Sequence, residues 1–184
     1  MRLEPIEPRS LLLRIASWLS RRQLGAVISP IRIVYARAPR LARATFGISR
    51  AVEGGLHLDP ELVLLVTTQS SLLNGCGFCA DLHRAQAVRA KIGLEKFDGL
   101  LDVDESPHFT ERERAALRYT AETTRERKVS DATFGALRKH FDEREIVELT
   151  WLNAVGNFFN LLAVPLEMES DGLTELALAA EARA

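Results

Sequence analysis

Cys76 and Cys79 are the only two cysteines in the chain, and His83 follows the second by four residues within LLNGCGFCADLH, residues 72–83. On a helix starting near Cys76, Cys79 and His83 stand at i and i+4 on one face, with Cys76 one turn earlier on nearly the same side. Thiols at that place have a defined chemistry. The thiolate is the nucleophile, and a free thiol with a pKa of about 8.5 is only a few per cent ionised at neutral pH. A helix N-terminus favours the negative charge, and an imidazole one turn away can take the proton. A sulfenic acid formed on Cys79 would condense with Cys76 to a disulfide and so escape further oxidation.

The spacing alone leaves other readings open. A C-x-x-C also occurs in thioredoxin-like proteins, but those need a βαβ setting, and no strand alternation is visible here. A structural zinc site needs four ligands; Cys76, Cys79 and His83 cluster in sequence, while His57, His108 and His140 are scattered. Two buried cysteines beside a hydrogen-bonded histidine is the purely structural alternative.

The elements that must position this edge read as helices throughout, giving an all-α fold. Residues 1–9 hold two prolines and read as a loosely held tail. Ser10 caps an amphipathic helix that ends near Gly25. A second helical region, from about Pro30 to Val52, is broken or bent at Pro39 and closed by Gly54-Gly55. Asp59-Pro60-Glu61 starts a helix to about Leu73 that is apolar almost all round and belongs inside. Asn74-Gly75 ends it and puts Cys76 at the start of the next helix, expected to run to about Ile92 and close at Gly93.

A short helix over 94–101 and an acidic loop follow. Thr110 to Glu113 is a capping box opening a helix to about Arg127, and Ser130 caps another to Phe141. Asp142-Glu143-Arg144-Glu145 begins the longest helix, to Pro165. Its polar positions are too few for the surface of a monomer, so other elements or a second subunit should cover it. Residues 173–184 form a last Ala- and Leu-rich helix. The domain organisation expected is a basic tail and helix over 1–29, a main domain over 30–170 and a C-terminal helix over 171–184.

The chain has 184 residues and a net charge of −1, enough length for a good core and no strong basic excess. A nucleic-acid partner is therefore not expected. The charge is uneven: residues 1–50 carry ten arginines and only Glu4 and Glu7, leaving +8, so the remainder carries −9. A basic arm lying against an acidic body, its own or a neighbour's, or an anionic surface would account for this; a membrane partner is not expected. No stretch approaches the roughly 20 apolar residues of a membrane span, and no signal peptide is recognised, which points to a cytoplasmic protein.

The stretch 72–83 strongly resembles the CxxCxxxH signature of the alkylhydroperoxidase AhpD-like, carboxymuconolactone decarboxylase family. Glu143 to Met168, EREIVELTWLNAVGNFFNLLAVPLEM, is similar to the C-terminal helix of the same group, so the resemblance covers about residues 30–170. It implies an all-α protein assembled as trimers or hexamers, with thiol-dependent peroxidase activity toward hydrogen peroxide or organic hydroperoxides and no cofactor. It further implies that Cys79 attacks the peroxide, Cys76 resolves the intermediate, and His83 relays protons. The oxidised enzyme would be reduced by a dithiol partner, a lipoylated or thioredoxin-like protein. The family's relay glutamate, twelve residues before the first cysteine, is Leu64 here; the nearest acid, Glu61, is one helical turn earlier and also reads as a first-turn charge. Glu148 is a second source of a carboxylate. A decarboxylase-like lyase, whose relatives lack the paired cysteines, and a non-enzymatic redox sensor are the alternative functions.

Neighbouring residues have quieter readings. Asp81 is expected to be a solvated first-turn acid, Phe78 and Trp151 core, and Asn153, Asn157 and Asn160 a polar stripe making interhelical hydrogen bonds in an oligomer.

Overall fold

Side-chain caps start the helices where the sequence places them. In this computed structural model, which describes residues 1–53 and 55–183, Ser10 caps α1 (Leu11–Leu24), and Gly25 closes it with φ +85°. A π-helical turn, Ile31–Tyr35, precedes α2 (Pro39–Glu53). Asp59 accepts the Glu61 N–H to open α3 (Pro60–Leu73), and Cys76 is the cap of α4 (Gly77–Arg89). After the short α5 (Glu95–Asp98), Thr110 and Glu113 form the expected capping box of α6 (Glu111–Glu126). Ser130 caps α7 (Asp131–Leu137), Asp142 and Glu145 box the start of α8 (Glu143–Ala163), and α9 (Leu173–Glu181) follows a 3-10 turn at Val164–Leu166. Each such cap contributes about 1 kcal/mol.

No strand occurs among the described residues, so the fold is all-α as expected. The paired glycines expected to close α2 include Gly54, which lies outside the described residues, as does Ala184 at the end of the last helix.

α3 is the hub, packing on α4, α6 and α8, while α4 is sandwiched between α3 and α9. Its apolar N-terminal half joins a core in which Leu65, Leu117, Leu149 and Leu152 are fully buried, each side chain stabilising the fold by roughly 1.5–3 kcal/mol. Its polar C-terminal half, Thr67 to Ser71, is equally buried. Gly156 lets α8 approach there: a Cβ at that position would stand 2.8 Å from Ser70 Oγ.

Several expectations change. The N-terminal tail is tied down: the Arg2 N–H donates to the Leu166 carbonyl (3.0 Å), the Ile6 N–H to that of Arg32 (3.1 Å), and Arg37 reaches the Glu4 carbonyl (2.7 Å). The basic arm touches the acidic remainder through Arg2–Glu167, 2.9 Å, whereas Arg32 pairs with Glu7 inside the arm itself. Helix α4 stops before Ile92, because the Ile92 N–H bonds the Ala87 carbonyl (2.9 Å) and Lys91 takes the left-handed conformation (φ 58°) expected of Gly93.

α8 is covered on one side only. Ile146, Leu149 and Leu152 are buried, but Val147, Trp151, Phe158 and Leu161 stand exposed, so Trp151 is not a core residue. Residues Glu143–Leu166 are, contrary to expectation, long and apolar enough to cross a membrane by length and composition. The three asparagines on the covered side of α8 bond into α3, α6 and the turn after α3, tying that side to the bundle.

Candidate functional site

The turn after α3 sets the site. Gly75, with φ +71°, reverses the chain where a Cβ would be strained, and the Cys76 N–H bonds back to the Ser71 carbonyl at 2.8 Å. Cys76 thereby becomes the N-cap of α4, its Sγ accepting the Cys79 N–H at 3.3 Å. Cys76 and Cys79 are joined as a disulfide, with Cα atoms 5.3 Å apart. Both are buried, 2% and 4% exposed, in an apolar cluster with Phe78, Met168, Leu173 and Ala177. Phe78 is core, as expected.

His83 follows Cys79 by one turn of α4, about 40° further round the axis. Its Nδ1 is sealed from solvent with no hydrogen-bond partner, while the ring bonds the main chain of Thr67 on α3. Burial pushes the imidazole down to about 4, against the Thr67 bond, which raises it. The ring is therefore neutral at pH 7 and able to accept a proton.

The structure brings Cys76, Cys79 and His83 onto one helix and leaves Glu61 apart. Glu61 pairs with Lys96 Nζ at 2.9 Å, an ammonium shared with Glu113 at 2.6 Å. It sits six residues before Thr67, about 9 Å along the helix, while Leu64 occupies the nearer turn. Glu148 is likewise engaged elsewhere: it accepts the His57 N–H (2.7 Å) and Arg144 Nε (3.0 Å). Burial raises its pKa, but these bonds outweigh that and the carboxyl titrates below its ordinary range.

Asp81 has a role that sequence reasoning missed. It is no solvated acid: it accepts the N–H groups of Leu173 (2.8 Å) and Thr174 (2.9 Å) and the Ser170 hydroxyl (2.8 Å), pinning the start of α9 over the cysteines. Burial alone would raise its pKa, but the bonds from Thr174, Leu173 and Ser170 together bring it below the ordinary value. The asparagine stripe does bond between helices, but within the chain. Asn74 Nδ2 donates to Asn157 Oδ1 (3.0 Å) and Asn160 Oδ1 (2.9 Å), and Thr124 donates to Asn153 Oδ1 (3.1 Å). The sequence signal was present, asparagines at helical spacing on an apolar helix, but their partners on α3 and α6 are set by tertiary packing.

Among the described residues, no group of three or more His, Cys, Asp or Glu side chains converges to hold a metal ion. An all-helical bundle presenting a buried vicinal disulfide-forming pair at a helix N-terminus, with an imidazole one turn on, defines a class of helical dithiol proteins.

Comparison with known proteins narrows that class. Residues 39–122, from α2 through most of α6, match the carboxymuconolactone decarboxylase family. The chain is 30% identical over 182 residues to the uncharacterized protein YnjA of Escherichia coli, covering 96% of this chain and 97% of YnjA. A solved structure from Agrobacterium tumefaciens, of unknown function and named as a candidate AhpD antioxidant defence protein, is 30% identical, with TM-score 0.71, covering 76% of this chain and 97% of that one. The debrominase Bmp8, solved with 2,3,4-tribromopyrrole, shares the fold at 20% identity, with TM-score 0.81 and coverage of 97% and 96%. The chain belongs to the AhpD-like, carboxymuconolactone decarboxylase family.

Proposed function

We propose that this protein is a thiol-dependent peroxidase that reduces hydrogen peroxide or small organic hydroperoxides through a Cys76/Cys79 dithiol–disulfide cycle. The observation that carries the reading is the joined pair of sulfurs at the N-terminus of α4 with His83 one turn on. The Cys79 thiolate attacks the distal peroxide oxygen, the O–O bond breaks, and the leaving alkoxide or hydroxide takes a proton. Cys79 is oxidised to a sulfenic acid and the peroxide is reduced to an alcohol or water. The Cys76 sulfur then displaces water from the sulfenic acid to form the disulfide.

His83 supports both proton steps. Neutral at the start, it accepts the Cys79 proton, and the thiolate so formed stabilises the imidazolium that burial alone disfavours. It then donates to the leaving oxygen. The relay runs through His83 without the carboxylate that Leu64 displaces. A dithiol, either a lipoylated or a thioredoxin-like protein, returns the pair to the thiol state, which suits a cytoplasmic setting. The exposed apolar face of α8 supports assembly into homo-oligomers.

The test is stoichiometric. One equivalent of hydrogen peroxide should remove both free thiols of the reduced protein, and a dithiol should restore them and sustain turnover. Thiols consumed without repeated turnover would favour the redox-sensor reading, which the engagement of Glu61 by Lys96 supports. Thiols untouched by peroxide would overturn both.

A further inference from the structure

Two side chains of α8 hold the end of α3: Asn157 Oδ1 accepts from Asn74 Nδ2 at 3.0 Å, and Asn160 bonds both Asn74 and Ser71. Asn160, 1% exposed on α8, donates through Nδ2 to Ser71 Oγ at 3.2 Å and accepts at Oδ1 from Asn74 Nδ2 at 2.9 Å. Ser71 is the residue whose carbonyl accepts the Cys76 N–H, and Asn74 is separated from Cys76 only by Gly75. Both polar atoms of this buried amide are thus used on the turn that delivers Cys76. We propose that Asn160 is a positioning residue for the dithiol: it clamps Ser71 and Asn74 so that Cys76 Sγ is held within bonding reach of Cys79.

Gly75 gives the turn its left-handed conformation but also its freedom, so without an external restraint the segment from Ser71 to Cys76 samples more than one path. A bound amide on a rigid helix removes that freedom before reaction and raises the effective concentration of one sulfur at the other. The Gly156 contact with Ser70, one turn earlier on α8, brings the two helices close enough for the amide to reach. Burying an amide between α8 and α3 costs desolvation unless both ends are bonded, and here both are. The plain alternative is an interhelical staple with no effect on the sulfurs, and Asn153 supplies the comparison. It too is 1% exposed on α8, but it bonds Thr124 and Asn157, with no hydrogen bond to Ser71 and a link to Asn74 only through Asn157.

The inference rests on the proposed function only in taking Cys76 and Cys79 as a redox pair. Its test uses no peroxide, so the two fail separately. The equilibrium of the Cys76–Cys79 disulfide against dithiothreitol is measured for the wild-type protein and for Asn160→Ala, Asn74→Ala and Asn153→Ala, with urea unfolding alongside. Asn160→Ala should lower the equilibrium constant for disulfide formation about tenfold, which is about 30 mV for a two-electron couple. Asn74→Ala, at a partly exposed helix cap, should do the same and decides the matter if Asn160→Ala does not fold. Asn153→Ala should lose stability and keep the wild-type equilibrium within about twofold, consistent with a staple alone. Asn160→Ala and Asn74→Ala within twofold of wild type, or Asn153→Ala shifting as far as they do, would overturn the proposal.

Discussion

Cys79→Ser should lower peroxide turnover by roughly 10³-fold or more, to the background of the assay. A serine hydroxyl at this helix position does not ionise near neutral pH, so neither the N-terminus of α4 nor His83 can make it a nucleophile of comparable strength. Cys76→Ser should behave differently. It keeps the attacking sulfur and its histidine, reacts once with peroxide, and then stalls because no second sulfur condenses with the sulfenic acid. Steady-state peroxide consumption with a dithiol, set beside a single-turnover measurement, separates the two variants. A decarboxylase-like lyase would be indifferent to both substitutions. Loss of the first turnover in Cys76→Ser, with its retention in Cys79→Ser, would place the attack on the other sulfur.

The second large effect is on stability and follows from the burial of His83. The imidazole has an ordinary pKa of 6.5 and is pushed to about 4 in the folded protein. Between those values the unfolded chain binds a proton that the folded chain refuses, so stability is complete above about pH 6.5 and falls as the pH drops toward 4. A displacement of this size corresponds to a loss of about 3 kcal/mol. Carboxylates held below their ordinary range, such as Asp81 and Glu113, also lose stabilisation as acid is added, at the lower end of the window. Subtracting the curve of His83→Gln, which cannot titrate, isolates the histidine. Urea unfolding of the oxidised proteins at pH 7 and pH 4 should show the wild type losing about 3 kcal/mol more than the variant. Parallel curves would mean that the ring is solvated and charged in the folded state.

Much of this architecture is written in local chemistry. Ser10, Asp59, Thr110, Ser130 and Asp142 each announce a helix start, and each caps the helix expected of it, because an N-cap is a contact between residues two or three apart. The edge of Cys76, Cys79 and His83 is legible for the same reason, since helical spacing alone brings such residues together. Helix ends are harder: α4 closes on Lys91 because the Ala87 and Val88 carbonyls capture the next amides, and glycine preference pointed two residues further on.

What was hidden depends on partners distant in sequence. Asp81 is a helix acid in the sequence and the acceptor of the first amides of α9 in the fold, the nearer of them 92 residues on. Trp151 has the composition of a core residue but falls on the uncovered face of α8. Glu61 lies one turn from the family's acidic position, yet Lys96, from another element, claims it. Asn160 reads as one of three similar amides, and only the close approach at Gly156 distinguishes its bonds to Ser71 and Asn74 from those of Asn153.

In the proposed cycle Cys79 is the sulfur that takes oxygen and Cys76 the one that rescues it. The most direct measurement is on the Cys76→Ser protein, reduced, given one equivalent of hydrogen peroxide and trapped with a sulfenic-acid reagent before peptide mass analysis. The adduct is expected on the peptide carrying Cys79, with none in Cys79→Ser protein treated the same way. An adduct on Cys76 in the Cys79→Ser protein, with none on Cys79 in its counterpart, would contradict it.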